Sequence, residues 1–413
     1  MSQFEHQVKE RFLRYVKIDT QSKANVKRTP STAKQLDLAK LLYEELAQMK
    51  AKWLHLDEKH CLVYAKIPGN LKQDMPFGLI AHLDTAPDAS GTDVKPWIYE
   101  KYDGNAVILN EKLGIKMSPA SFPILKQYIG QDLVFTDGTT LLGGDDKASI
   151  AAIMTFAEYL LAHPKAPHPT ICLAFTPDEE VGGLAKDLDL KRFGAPYAYT
   201  LDGDHLGYYS YETFNASEAQ IEINGLLVHT GTAKGLMKNA VAIGNQIIAG
   251  LPAKERPEYT SKRQGFFHPF VFEGDVSHAY LRILIRDFEE KGFARRENLI
   301  KELVRKANDE YGKGTVTLNF ANGYRSMKNA VMGYPFLIEG LVAAIARAGV
   351  KPVELPFRGG TDGSALSNRG LPCPNLSAGY ENAHGPYEFV SIQSMAKNVE
   401  ILLALAKEFA KMA

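Results

Sequence analysis

Short apolar runs alternate with helical periodicity through the first half of the chain. Residues 31–49 begin at Ser31 after Pro30 and carry Leu38, Leu41, Leu42 and Leu46 at helical spacing. Residues 61–67 and 77–81 are apolar runs bounded by Pro and Gly, the pattern of strands buried on both faces. Residues 146–161 return to helical spacing through Ile150, Ile153, Met154, Ala157, Leu160 and Leu161, and 171–176 and 197–201 read again as strands. Strands alternating with helices predict an α/β fold with a mixed, largely parallel sheet.

The texture changes near residue 214. Residues 219–228 alternate, 239–251 are helical, and Ala279, Leu281, Ile283 and Ile285 alternate strictly along a half-buried strand. A charged helix over 289–311 and a strand at 315–320 complete a β-α-β-β-α-β order, the ferredoxin-like pattern of a compact separate α+β unit. After Tyr324 the first texture returns, with a helix over 335–348, strands near Val353 and 374–378, and a closing helix from Ser391. The expected organisation is a catalytic domain in two parts, 1–213 and 326–413, interrupted by an inserted domain at 214–325. A chain of 413 residues exceeds what one core usually organises, which agrees with two domains.

Composition narrows the partner. Lys plus Arg equals Asp plus Glu at 48 each, so no global field draws the chain to nucleic acid or an anionic membrane, and a small polar substrate fits better. No stretch is long and apolar enough for a membrane span, and the first residues resemble neither a signal nor a transit sequence. Cys61, Cys172 and Cys373 are far apart and odd in number, as for buried thiols in a reducing compartment. The expected location is the cytoplasm.

Ligands of open parallel sheets gather beyond the carboxyl ends of the strands. The run 77–81 ends in His82-Leu83-Asp84, the run 171–176 leads to Asp178-Glu179-Glu180, and 197–201 ends in Asp202. The run around Leu376 is followed by Glu381-Asn382-Ala383-His384, and Gly143-Gly144-Asp145-Asp146-Lys147 opens the helix after it. Taken singly, each is an ordinary cap, turn or core histidine. Together they aim two histidines and several carboxylates at one sheet edge, and so many carboxylates repel one another unless cations intervene. Imidazole with carboxylate suits two divalent ions, zinc first, with cobalt or manganese as alternatives, and argues against calcium or magnesium. The His-x-Asp spacing lets Asp84 accept the second ring N–H of His82. Adjacent Glu179 and Glu180 in an irregular turn can point apart, one to a metal and one free as general base. A phosphate loop does not fit, because Gly144 and Asp145 stand where it requires Lys and Ser or Thr.

These segments resemble the M20 family of metallopeptidases, in particular its tripeptidase branch. The resemblance rests on residues 81–85, 139–147, 174–181, 228–234, 285–288, 358–363 and 382–385, and it spans nearly the whole chain. It implies that Asp145 bridges two metals, one also held by His82 and Asp202 and the other by Glu180 and His384. Glu179 would be the general base, Asp84 would support His82, and the Asp145–Asp146 peptide would be cis. The inserted domain would be a lid and dimerisation module carrying His229 and Arg286 to the substrate, with Arg358 joining from the main domain, and a homodimer would form through it.

The activity so implied is release of the N-terminal residue from tripeptides. A dipeptidase, carboxypeptidase or N-acyl amino acid deacylase of the same family is the alternative, and an inactive scaffold would have lost Glu179 or Asp145. The chain departs from the branch pattern at Gly144, Ser149, Thr230 and Asp204-His205. None of these is an expected ligand, although His205 is near enough to Asp202 to be weighed as one.

Overall fold

A computed structural model describes residues 2–412. The chain forms two compact units, one of Met1–Tyr211, Asn329–Leu355 and Thr361–Ala413, the other of Glu212–Lys328 and Pro356–Gly360.

The first unit is built on an eight-stranded sheet. Its order is Lys52–Asp57, Leu62–Ile67, Ile171–Thr176, Phe77–His82, Ala198–Leu201, Asn375–Leu376, Tyr208–Ser210 and Val353–Glu354. The four strands from Ile171–Thr176 to Asn375–Leu376 run parallel, while the first two are antiparallel to their neighbours. The sheet is thus mixed and parallel at its centre, as the alternating pattern implies. Successive side chains of the Phe77–His82 strand enter different cores, since strand residues alternate between faces. Phe77, Leu79 and Ala81 pack with helices Gly144–Ala162, Phe336–Arg347 and Ile392–Met412, whereas Ile80 packs with Phe193, Leu366 and Cys373.

A second, four-stranded sheet joins Tyr380–Glu381, Phe389–Ser391, Leu133–Phe135 and Trp97–Tyr99. Strands of two or three residues are too short to display a period, so hydrophobic patterning does not announce them. The three cysteines are free and buried. No helix among the described residues is long and apolar enough to cross a membrane.

The second unit is an antiparallel sheet in the order Phe266–Gly274, His278–Asp287, Asn215–Asn224, Val316–Tyr324. Helices Ala240–Ala249 and Glu290–Tyr311 share its core through Ile243, Ile247, Ile300 and Val304, giving the β-α-β-β-α-β order of the sequence. The first strand ends at Asn224 rather than running to Val228. At Gly225 a Cβ would lie 2.0 Å from the Val276 carbonyl oxygen, and this close approach takes the chain out of the ladder. Residues 356–360 were expected in the main domain but group with this unit, where the Phe357 N–H donates to the Glu212 carbonyl.

Candidate metal centre

His82, Asp145 and Asp202 form one group able to hold a cation, and Asp145, Glu180 and His384 form another, with Asp145 common to both. His82 closes a central strand, Glu180 lies in the short helical turn Glu179–Val181 three residues past Thr176, and Asp202 follows Leu201. Asp145 lies at the irregular start of the Gly144–Ala162 helix, with φ −79° and ψ 100°, and its peptide bond to Asp146 is cis. The His384 backbone is left-handed at φ +67°.

The hydrogen bonds settle how His82 is presented. Its Nδ1 is 3.0 Å from the Asp84 main-chain oxygen, an atom that can only accept, so Nδ1 carries the hydrogen. Nε2 then faces Asp145 Oδ1 at 2.9 Å, lone pair toward carboxylate, an arrangement that requires a proton or a cation between them. His384 Nε2 likewise lies 2.9 Å from Glu180 Oε2 and 3.4 Å from Asp145 Oδ2. Glu180 Oε1 is buried without a hydrogen-bond partner, an open acceptor beside these groups.

The electrostatics describe a site short of positive charge. Burial, then Asp145, pushes the Glu180 carboxyl up to about 8, and the same two causes push Asp202 to about 6. Hydrogen bonds to Asp145 and Glu180 raise His384 to about 11. Burial would lower His82, but its bonds to Asp145 and Asp84 hold it well above the ordinary imidazole value. Protons on imidazole and carboxyl thus balance the cluster, and divalent cations would do so without them. The mixed nitrogen and oxygen donor set, the facing lone pairs and the open Glu180 oxygen fit a pair of such ions.

Asp84 does more than the His-x-Asp spacing implies. Its carboxylate is 3.4 Å from His82 Nδ1, farther than its own carbonyl, and instead accepts the N–H groups of Glu179 (2.9 Å) and Glu180 (3.2 Å). The expected carboxylate contact to His82 is therefore secondary, because these two peptide N–H groups claim the oxygens. Burial, followed by Asp202, raises the Glu179 carboxyl well above its usual range, and Glu179 belongs to neither cation group.

Several contributors escaped sequence reasoning. The Tyr380 hydroxyl donates to Asp202 Oδ1 at 2.9 Å, Asp146 Oδ2 accepts the His82 N–H at 3.1 Å, and Asp88 Oδ2 lies 3.6 Å from His384 Nδ1. Glu388 accepts the main-chain N–H groups of Leu142, Gly143 and Asp145, and a carboxylate inside the apolar run 387–390 was the available signal. His205 is in neither cation group and pairs with Glu381 at 2.7 Å.

The remaining expected residues lie in the second unit. His229 is exposed, its Nδ1 accepting the Gly231 N–H at 3.1 Å, and the Arg286 guanidinium stacks 5.0 Å from the Tyr324 ring centre. Arg358, expected from the main domain, also belongs here. It donates to the carbonyls of Lys262 (2.6 Å) and Gln264 (2.9 Å) and lies over Phe214. Its fork is thus used in ordering residues 260–264.

Residues 143–408 match the model of peptidase family M20/M25/M40. The chain is 45% identical over 403 residues to peptidase T of Desulfitobacterium hafniense, covering 97% of this chain and 98% of that protein. Its fold superposes with TM-score 0.78 on aminopeptidase PepT from Bacillus cereus, at 22% identity over 98% of this chain and 99% of the other. A Bacillus subtilis protein described as a dinuclear metal binding peptidase from the M20 family superposes at 0.67, with 13% identity over 98% and 97%. The chain therefore belongs to peptidase family M20/M25/M40 and is a metallo-aminopeptidase.

Proposed function

We propose that the chain releases the N-terminal residue of tripeptides at a centre of two divalent ions, with Glu179 as general base. The observation that carries this is the meeting of His82, Asp145 and Asp202 with Glu180 and His384 around one shared carboxylate, beside an unshared Glu179. Relatives named peptidase T at 45% identity over nearly the whole chain support the substrate class.

When bound, the ions polarise the scissile carbonyl and the attacking water and neutralise the carboxylates that hold them; zinc is the first candidate, with cobalt or manganese as alternatives. Glu179 takes the proton of the attacking water and returns it to the leaving amine. Asp84 is a positioning residue, since its carboxylate fixes both N–H groups of the Glu179-Glu180 turn. His229 and Arg286 are assigned to the substrate's carbonyl and carboxylate, for which a planar guanidinium is suited. Arg358 supports them by holding the 260–264 segment. The second unit is assigned the roles of lid and homodimer surface, and a short peptide is the partner.

The test is an assay of zinc-loaded and chelator-stripped protein on a tripeptide, a dipeptide, an N-acetyl amino acid and an N-blocked tripeptide. The free-amine tripeptide is expected to be preferred, and stripping to abolish turnover. Preference for the N-acetyl amino acid would sink the aminopeptidase reading. Glu179→Ala should lower kcat by about 10²–10⁴-fold with metal content intact, and full activity in that variant would remove Glu179 as the base.

A further inference from the structure

Glu388 is a buried carboxylate between Tyr387 and Phe389, and the mechanism above gives it no part. Its oxygens accept three main-chain N–H groups of a single loop. Oε2 takes those of Leu142 (2.8 Å) and Gly143 (2.7 Å), and Oε1 takes that of Asp145 (3.0 Å). The turn they belong to cannot hold itself by helical bonding, because Gly143 is left-handed at φ +84° and Asp145 and Asp146 are non-helical. A carboxylate leaves water only when its lone pairs are matched, and here the loop's own orphan donors match them.

Two further features tie this clamp to the centre. The Glu388 N–H donates to the carbonyl of Gly385, the residue after His384, so one residue touches the Asp145 loop and the His384 turn together. At Gly144 a Cβ would lie 2.5 Å from Val390 Cγ2, 3.0 Å from Glu388 Oε1 and 3.1 Å from Tyr380 Cβ, so the loop lies directly against the carboxylate and the strand that follows it.

We propose that Glu388 is a positioning residue for both cation groups: it fixes the main chain at Asp145, and through it the one carboxylate that the two groups share. This rests on the ligand assignment proposed above. A glutamine of the same shape cannot replace it, since one of its two end atoms is a donor facing N–H donors.

Stripped full-length protein is titrated with zinc by calorimetry, and the cobalt form is followed by its visible absorption. Wild type is expected to take up two ions, and E388Q to bind both about 10–100-fold more weakly, the range seen when partners of metal ligands are removed. E381Q alters another buried carboxylate, whose hydrogen bonds go to Tyr128 and His205 and to no proposed ligand, and it should bind zinc as wild type does. A wild type that binds no zinc overturns the ligand assignment itself. Wild-type affinity in E388Q overturns the positioning role alone, and an equal loss in E381Q overturns it too by assigning the effect to general packing. Should E388Q not fold, E388D keeps the charge and draws it back by one methylene from the three N–H groups. Weaker zinc binding and a shifted cobalt spectrum are expected there, and an unchanged affinity and spectrum overturn the proposal.

Discussion

Asp178 sits in the left-handed region at φ +62°, one residue before the proposed base. Its buried carboxylate accepts the Ser31 N–H (2.7 Å), the Ser31 hydroxyl (2.5 Å) and the Gln35 amide (2.7 Å), so the start of a distant helix anchors the Glu179-Glu180 turn. Asp178→Ala would leave these donors unmatched and is expected to cost about 3 kcal/mol or more. Asp178→Asn tolerates the left-handed backbone and keeps one acceptor, so it should cost less. Urea unfolding of both variants checks the order, and an alanine variant as stable as wild type would refute the anchor. Residues such as His82, Asp145, Glu180, Asp202 and His384 were legible because each stands just past an apolar run or in a glycine-rich turn. Asp178, Tyr380 and Glu388 were not legible in role. Their partners lie 143 to 246 positions away, and a side-chain bond to so remote a residue leaves no periodic trace.

Many strands and helices long enough to show a period were readable to within a few residues, although Gln3–Tyr15, Lys52–Asp57 and Phe266–Gly274 were not placed. Ile171–Thr176 and Glu290–Tyr311 follow their patterns, whereas the sheet containing Trp97–Tyr99 and Leu133–Phe135 was missed because each strand is three residues long. Inside the second unit, Glu212 at the entry to its first strand accepts Arg263 (2.5 and 2.6 Å) and Lys328 (3.1 Å), joining three separate segments. Burial acts to raise this carboxyl, but the Arg263 and Lys328 hydrogen bonds outweigh it and hold it below its ordinary 4.5. A depressed folded-state value means the contribution is complete above about pH 4.5 and fades as the pH falls through the folded value. Stability of this unit should therefore drop between pH 5 and pH 3 more steeply in wild type than in E212Q. Urea midpoints across that window test this, and parallel slopes would exclude Glu212 as the cause.

At the scale of the molecule, every proposed cation ligand lies in the first unit and none in the second. A ligand that binds only the folded state stabilises it by about 2.7 kcal/mol at a hundredfold excess over Kd. That energy should appear where the ligands are. On zinc loading, amides of Phe77–His82 and Ile171–Thr176 that exchange only when their unit opens should slow by about 100-fold. Amides of Asn215–Asn224 and His278–Asp287 should exchange as before, because the antiparallel sheet and its two helices have a core of their own. Hydrogen exchange followed by mass spectrometry, with and without zinc, separates the outcomes. Equal slowing in both sets would mean that the two units open as one cooperative body, and no slowing in either would mean that the folded chain holds no zinc.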